Sequence, residues 1–333
     1  MVALGARYVH HSLLPDPVAM LVGEVIVAIM FGLVIGNVLR LPKIFQPGIR
    51  FSFRTLLRSA IVILGATFSF SAALAIGGRA LLMVIALMAM ALFTAHQLGR
   101  WLGVPDKLST LIGVGTAVCG NTAISAVSPV IRAKDEETSF AIATNTLFGT
   151  AAVFLYPLIG HAVGMSPAAF GTWAGTAVND TSQVVATGFA YGTDAGKVAT
   201  VVKLTRNTMM GGVIILIGII YAGRGRKNVR SLWDRARHSV PLFVLGFLVM
   251  CALNTLHVVS WASGQIGRDL TLDAQAAARF LVLVALAGVG LSTRFDAMRR
   301  IGIRPFWVGL ATALVTSGSS YAMIRWFGPA GGG

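Results

Sequence analysis

Residues 113–125 read Gly113-Val114-Gly115-Thr116-Ala117-Val118-Cys119-Gly120-Asn121-Thr122-Ala123-Ile124-Ser125, and residues 175–183 read Gly175-Thr176-Ala177-Val178-Asn179-Asp180-Thr181-Ser182-Gln183. In both, a Gly-Thr-Ala-Val run leads into a polar cluster in the middle of an otherwise apolar segment. Chain in hydrocarbon must have its N–H and C=O groups bonded, so such interruptions survive only where protein or a wet cavity surrounds them. They predict two helices that enter a membrane and break. A helix that restarts at a break exposes N–H groups that attract anions, and short hydroxyl and amide side chains can complete a ligand shell. The competing reading is that small polar residues pack helices and bond across them. Two matching clusters favour a substrate site made by breaks that face each other.

The rest of the chain reads as membrane protein. Of 333 residues, 56% are hydrophobic and 12% charged, and the mean hydropathy is +0.78; a soluble domain carries about 25% charged residues. This excludes a soluble globular fold, and it excludes disorder, which needs low hydrophobicity. The 27 Lys+Arg against 12 Asp+Glu give a net charge of +15. Those basic residues sit mostly in short gaps between apolar runs, which is the positive-inside pattern and not that of a nucleic-acid binder. Runs long enough to span a bilayer lie at 18–38, 55–75, 79–99, 139–160, 198–222, 239–258, 277–294 and 305–326. Basic stretches at 39–58, 222–238 and 294–304 mark the cytoplasmic side, and 160–168, without Lys or Arg, suits the outside. No cleavable signal pattern is read at the start, and Cys119 and Cys251 form no CxxC. The expected place is the bacterial inner membrane, as a multi-pass protein.

Internal repeats carry the fold reading further. Gly65, Phe70, Ala72, Ile76, Gly77 and Arg79 match Gly290, Phe295, Ala297, Ile301, Gly302 and Arg304, with Arg54 matching Arg279 at the same offset. In the middle, Gly115-Thr116-Ala117-Val118 matches Gly175-Thr176-Ala177-Val178, and Asn145-Thr146 with Gly149 matches Asn207-Thr208 with Gly211. If both broken segments are re-entrant hairpins, every matched pair runs in opposite senses, as in many secondary transporters. If both cross fully, the middle pair becomes parallel. The consistent inversion favours hairpins. The expected fold is an all-α polytopic membrane protein with inverted structural repeats and two discontinuous or re-entrant helices. It forms one transmembrane domain over 1–333, with 54–100 related to 279–325 and 113–160 to 173–222.

The candidate substrate-binding residues are Cys119, Gly120, Asn121, Thr122, Asn179, Thr181, Ser182, Lys203 and Arg206. Lys203 and Arg206, three apart, share one helix face, and intramembrane cations mark substrate pathways; the alternative is that both snorkel to water at the outer end of their helix. Asp180 is the only carboxylate in the broken segments. A carboxylate there must be protonated, paired or wet, so it is the candidate for coupling to H+ or Na+, or else a partner of Lys203 or Arg206. Glu24, in the first span, reads as facing a wet crevice or another subunit, His96 and His161 as interfacial and not catalytic, and Cys119 as a small packing residue. No HExxH, GxSxG or P-loop is present, so ATP hydrolysis is not supplied by this chain.

The runs Gly113–Gly120, Pro129-Val130-Ile131, Trp173–Thr176 with Gln183–Ala186, Lys203-Leu204-Thr205-Arg206 and Gly290–Phe295 resemble the YeiH-like sulfate exporter family over about residues 20–325. The resemblance extends to the clan of bile-acid symporters, cation–proton antiporters and citrate or glutamate symporters. It implies an inverted-repeat core with interrupted helices and often a homodimer. Where family members often carry a His-Glu pair, this chain has Asn179-Asp180, which leaves the coupling ion and the substrate open.

The expected function is secondary active transport of a small anion, sulfate or an organosulfonate, by alternating access, with export as its direction. The partners are that anion and the bilayer; no nucleic acid, cofactor or metal is called for. The rivals are a passive anion channel with the breaks as its filter, and a membrane enzyme using Cys119 or a histidine.

Overall fold

The computed structural model describes residues 2–12, 24–39, 41–222, 241–293 and 302–330. Arg40, the basic residues between 224 and 237, Arg294, Arg299 and Arg300, and repeat positions Phe295, Ala297 and Ile301, lie outside the described residues. Every regular element among the described residues is helical, so the chain is an all-α polytopic membrane protein. The helices are α1 Val2–Ser12, α2 Glu24–Val38, α3 Gln46–Phe51, α4 Leu57–Leu64, α5 Phe70–Trp101, α6 Asp106–Ala117, α7 Asn121–Ile131 and α8 Asp135–Ala162. They continue as α9 Pro167–Ala177, α10 Thr181–Tyr191, α11 Thr193–Thr208, α12 Met210–Ala222, α13 Leu242–Thr255, α14 Val258–Ile266, α15 Leu270–Ser292 and α16 Ile303–Phe327. By length and composition α5, α8, the α11–α12 run and α15 can each cross a bilayer, and α13 with α14 does so only as a pair bent by 68°.

Two expected boundaries move. A π-helical turn at Ser52–Leu56 joins α3 to α4, and a 3-10 turn at Gly65–Thr67 closes that run. α5 then starts at Phe70, where the Ser69 hydroxyl accepts from the Ala72 N–H at 3.2 Å. It therefore takes in the tail of the 55–75 run and all of 79–99, because the sequence on both sides of Ser69 is equally apolar and only the serine cap marks the start. α13 fixes the break from outside: Asn254 donates to the Phe68 carbonyl at 3.1 Å, and the Thr255 hydroxyl accepts from Phe70 N–H at 2.6 Å. The 239–258 run likewise stops at Thr255, and α14 turns away from it with no buried residue.

Small residues let these helices close on one another, as expected in lipid. The buried stripe of α5 includes Ala73, Gly77, Ala80, Val84, Ala91, Ala95 and Gly99. A Cβ on Gly99 would fall 2.0 Å from the Ser109 hydroxyl of α6. α2 and α15 meet backbone to backbone: a Cβ on Gly32 would fall 2.3 Å from the Ala287 carbonyl, and one on Gly290 2.3 Å from that of Ile29.

Contacts at helix ends sort the two sides of the molecule. The Tyr221 hydroxyl, near the end of α12, donates to the Asp106 carbonyl at 3.3 Å. Arg304, at the start of α16, comes beside Gly103, and Asn37 at the end of α2 donates to the Thr293 carbonyl at 2.8 Å. The helix ends flanking the three basic stretches thus lie on one side, here the basic face. α8 starts there under a cap in which Glu137 accepts from the Lys134 N–H at 2.7 Å, with Asp135, Glu136 and Glu137 in its first turn. Its 28 residues, roughly 42 Å, carry the chain to the opposite face.

Candidate functional site

Both broken segments are hairpins. Lys107, in the first turn of α6, donates to the carbonyl of Arg132, just past α7, at 2.7 Å; in an unbroken helix these residues would stand roughly 37 Å apart. In the second segment the ring of Phe170, early in α9, stacks on that of Tyr191, the last residue of α10, at 3.8 Å between centroids. The Tyr191 hydroxyl also donates to the Met165 carbonyl at 2.5 Å. The first hairpin opens where α8 begins and the second where α8 ends, so they enter from opposite faces.

Their tips meet. Val118-Cys119-Gly120 joins α6 to α7, and Val178-Asn179-Asp180 joins α9 to α10. Gly120 has φ +70 and ψ −126, a conformation that favours glycine. A Cβ there would lie 3.0 Å from the Cα of Asp180 and 2.8 Å from the Asn145 amide nitrogen. Asp180 has ordinary extended dihedrals and caps α10: one carboxylate oxygen accepts from the Ser182 N–H at 3.0 Å and from its hydroxyl at 2.6 Å.

Lys203 and Arg206 on α11 bind both tips. Lys203 Nζ donates to the Val118 carbonyl of the first hairpin at 2.8 Å, to that of Val178 in the second at 3.1 Å, and to that of Asn179. Arg206 donates from Nε to the Ala117 carbonyl at 2.7 Å, and from Nη1 to those of Thr176 at 2.8 Å and Val178 at 3.1 Å. These are the orphan carbonyls that the C-termini of α6 and α9 leave unbonded, and two cations meet the negative ends of both dipoles. Lys203 is 0% and Arg206 2% exposed, so neither snorkels to water. The acid beside them, Asp180, caps its helix and takes part in none of the ion pairs among the described residues.

The expected site residues all gather at the tips, but in two layers. Cys119, Gly120, Asn179, Lys203 and Arg206 are buried, and the Cys119 thiol lies 3.5 Å from the Met210 sulfur. Asn121, Asp180, Thr181 and Ser182 are partly exposed, and Thr122 is exposed. Five further residues join them. Asn145 donates to the Asn121 side-chain oxygen at 2.9 Å, and Asn121 to the Thr146 hydroxyl at 3.2 Å. Asn207 donates to the Thr181 hydroxyl at 3.2 Å, and Gln183 to the Thr150 hydroxyl at 3.2 Å. Asn145 and Asn207 were visible in the sequence as repeat partners; the repeat is the signal that places them at the site. The buried amide oxygens of Asn145, Gln183 and Asn207 have no hydrogen-bond partner among the described residues. Elsewhere, Glu24 opens α2 with Arg7 3.9 Å away, and His161 stacks on Tyr191 at 4.2 Å.

Two opposed hairpins, crossing tip to tip within an all-α bundle, define a polytopic membrane protein with discontinuous helices. Residues 5–309 match the family described as conserved hypothetical protein 698, and the chain belongs to that family. It is similar to UPF0324 membrane proteins: 29% identical over 91% of this chain and 84% of the relative from Nitratidesulfovibrio vulgaris, and 31% over 89% and 87% for that from Clostridium tetani. With a UPF0324 membrane protein of Oceanobacillus iheyensis it shares 32% identity over 91% of this chain and 87% of the relative. No solved structure matches the chain.

Proposed function

We propose that the whole chain acts as one secondary transporter, carrying a small anion such as sulfate or an organosulfonate across the bacterial inner membrane by alternating access around the crossed tips. The observation that carries this reading is the charge arrangement at the crossing. Lys203 and Arg206 neutralise the carbonyl ends of α6 and α9, while the N–H ends of α7 and α10 start at the partly exposed Asn121 and Thr181. The two cations and the uncapped start of α7 therefore outweigh the Asp180 carboxylate, which already caps α10, where the chain is polar and reachable, and this suits an anion. The ligands offered are the side chains of Asn121, Thr122, Thr181 and Ser182 with the helix-start N–H groups. The two cations act through the field and through the shape of the tips, since both are buried and all three donors of Lys203 and three of the five of Arg206 are already used.

Asp180 is the coupling group in this reading, with H+ or Na+ as the ion. Its carboxylate is the one acid at the crossing, and the unpartnered amide oxygens of Asn145, Gln183 and Asn207 are the hard ligands a sodium ion takes. The test is flux in proteoliposomes with labelled sulfate and labelled taurine, under an imposed pH gradient and, separately, a sodium gradient. Uphill accumulation driven by one gradient, lost in Asp180→Asn while downhill exchange persists, is the expected result. Flux equal with and without any gradient makes the protein a channel. Flux no greater than in protein-free vesicles removes both anions.

A further inference from the structure

The outer surface of the α3–α4 run carries a feature that the crossed tips do not use. Arg50, Arg54 and Arg58 recur every fourth residue, and all three are exposed. Beside them Thr55, Arg58, Ser59, Val62 and Ile63 enclose, with Phe243 of α13, a groove of about 350 Å³. The Arg58 guanidinium carbon lies 5.8 Å from the centre of the Phe243 ring. Phe243 is the second residue of α13, which follows a basic stretch, so the groove sits at the basic-face edge of the bundle and not at mid-membrane.

The lining is graded along the run. Thr55, Arg58 and Ser59 form the end toward the basic face, and Val62 and Ile63 lie a turn deeper. Among the described residues no carboxylate pairs with Arg58. An exposed arginine at a membrane edge reaches the headgroup layer, where anionic lipids meet its charge. A second copy of the chain meets it poorly, because a two-fold contact sets the same patch against itself and would turn arginines on arginines. A headgroup phosphate meets it well: the planar guanidinium binds phosphate in a fork, and basic pockets between membrane helices on the positively charged side take anionic headgroups.

We propose that this groove holds an anionic phospholipid of the basic-face leaflet, its phosphate on Arg58 with the hydroxyls of Thr55 and Ser59, and the start of an acyl chain along Val62 and Ile63. The test takes protein from vesicles of equimolar phosphatidylglycerol and phosphatidylcholine and counts retained lipid by native mass spectrometry. Phosphatidylglycerol is expected to be retained over phosphatidylcholine, and Arg58→Gln to cut its retention about fivefold. Ser59→Leu, which keeps the charge and fills the groove, is expected to cut it as well. Arg100→Gln, at an exposed basic-face position on α5, is expected to leave it unchanged.

Retention of phosphatidylglycerol in Ser59→Leu overturns the site, and equal loss in Arg100→Gln reduces it to bulk charge. Complete displacement by millimolar inorganic phosphate makes it a free-anion site. Disulfide-linked dimers of Ser59→Cys put a second copy on this face. Should Arg58→Gln fail to fold, Arg58→Lys replaces it, with partial loss expected because the charge stays and the fork goes.

Discussion

The two hairpins share a scaffold and differ in charge. Each is a pair of half-helices of similar length, and each is followed by a long helix whose asparagine reaches the first residue of the second half-helix: Asn145 to Asn121, Asn207 to Thr181. Gly120 and Asp180 occupy matching places, 60 residues apart like Gly115 and Gly175, and they touch where the tips cross. The likeness stops at the cations. The step of 62 residues that pairs Asn207 with Asn145 pairs Lys203 with Ala141 and Arg206 with Thr144. One arm therefore supplies all the positive charge, and spends it on carbonyls of both tips. The second repeat holds the crossing together, and the first lends its shape.

The hardest way to break this comparison is to remove a shared cation. Lys203→Met is expected to leave the Val118 and Asn179 carbonyls buried without their donor, at a cost of about 2 kcal/mol or more, since each such loss is worth about 1 kcal/mol at least. Arg206→Met is expected to do the same to Ala117 and Thr176, while the Val178 carbonyl keeps the other cation in each case. Thermal unfolding in detergent measures it. Thr144→Val, at the matching place on α8, loses only one bond to the Phe140 carbonyl and is expected to cost about 1 kcal/mol. Equal losses on the two arms would remove the asymmetry.

Gly120→Ala against Asp180→Ala is the next test, at matching places in the two tips. The alanine at 120 must take a positive φ and push on Asp180 and Asn145, so a loss of about 2 kcal/mol is expected. Asp180→Ala loses a helix cap and is expected to cost about 1 kcal/mol, while Asp180→Asn, which can still cap, is expected to cost little. That difference matters for function: Asp180→Asn keeps the fold, so loss of gradient-driven flux in it reports on the carboxylate itself. If Gly120→Ala is as mild as Asp180→Asn, the tips are not in contact.

Much of this was legible in the sequence. Gly120, Asn121, Asn179 and Asp180 announced the breaks, because glycine and short polar side chains in an apolar run make poor membrane helix. The basic stretches placed their flanking helix ends on one side. Whether a broken segment turns back or continues is a different matter, because the residues at a break do not say where the far ends lie. Lys107 on Arg132 and Phe170 on Tyr191 decide that, and both contacts join residues more than twenty positions apart. Lys203 and Arg206 stood out as charges, but their partners are backbone carbonyls, which every residue carries and no motif marks. α14 went unseen because a window long enough to detect a span averages Val258–Ile266 with the polar residues that follow it.

The finest test asks whether the two asparagines are equivalent. Asn145 donates a hydrogen bond to the Asn121 side-chain oxygen, and Asn207 donates one to the Thr181 hydroxyl; both are buried, and each has a side-chain oxygen without a partner among the described residues. Replacing either by Ala removes one donor and one orphan acceptor together. Lost bond and relieved acceptor offset in part, so a cost of about 1 kcal/mol is expected for each, with the two values alike. A double variant should then cost the sum, because sites on separate helices without shared partners add. A measured excess over that sum would mean that the two asparagines are coupled through the crossing, by a water or an ion lodged between their free oxygens. If sodium in place of potassium then changes the excess, the ion is the coupling agent, and if it does not, the bridge is water.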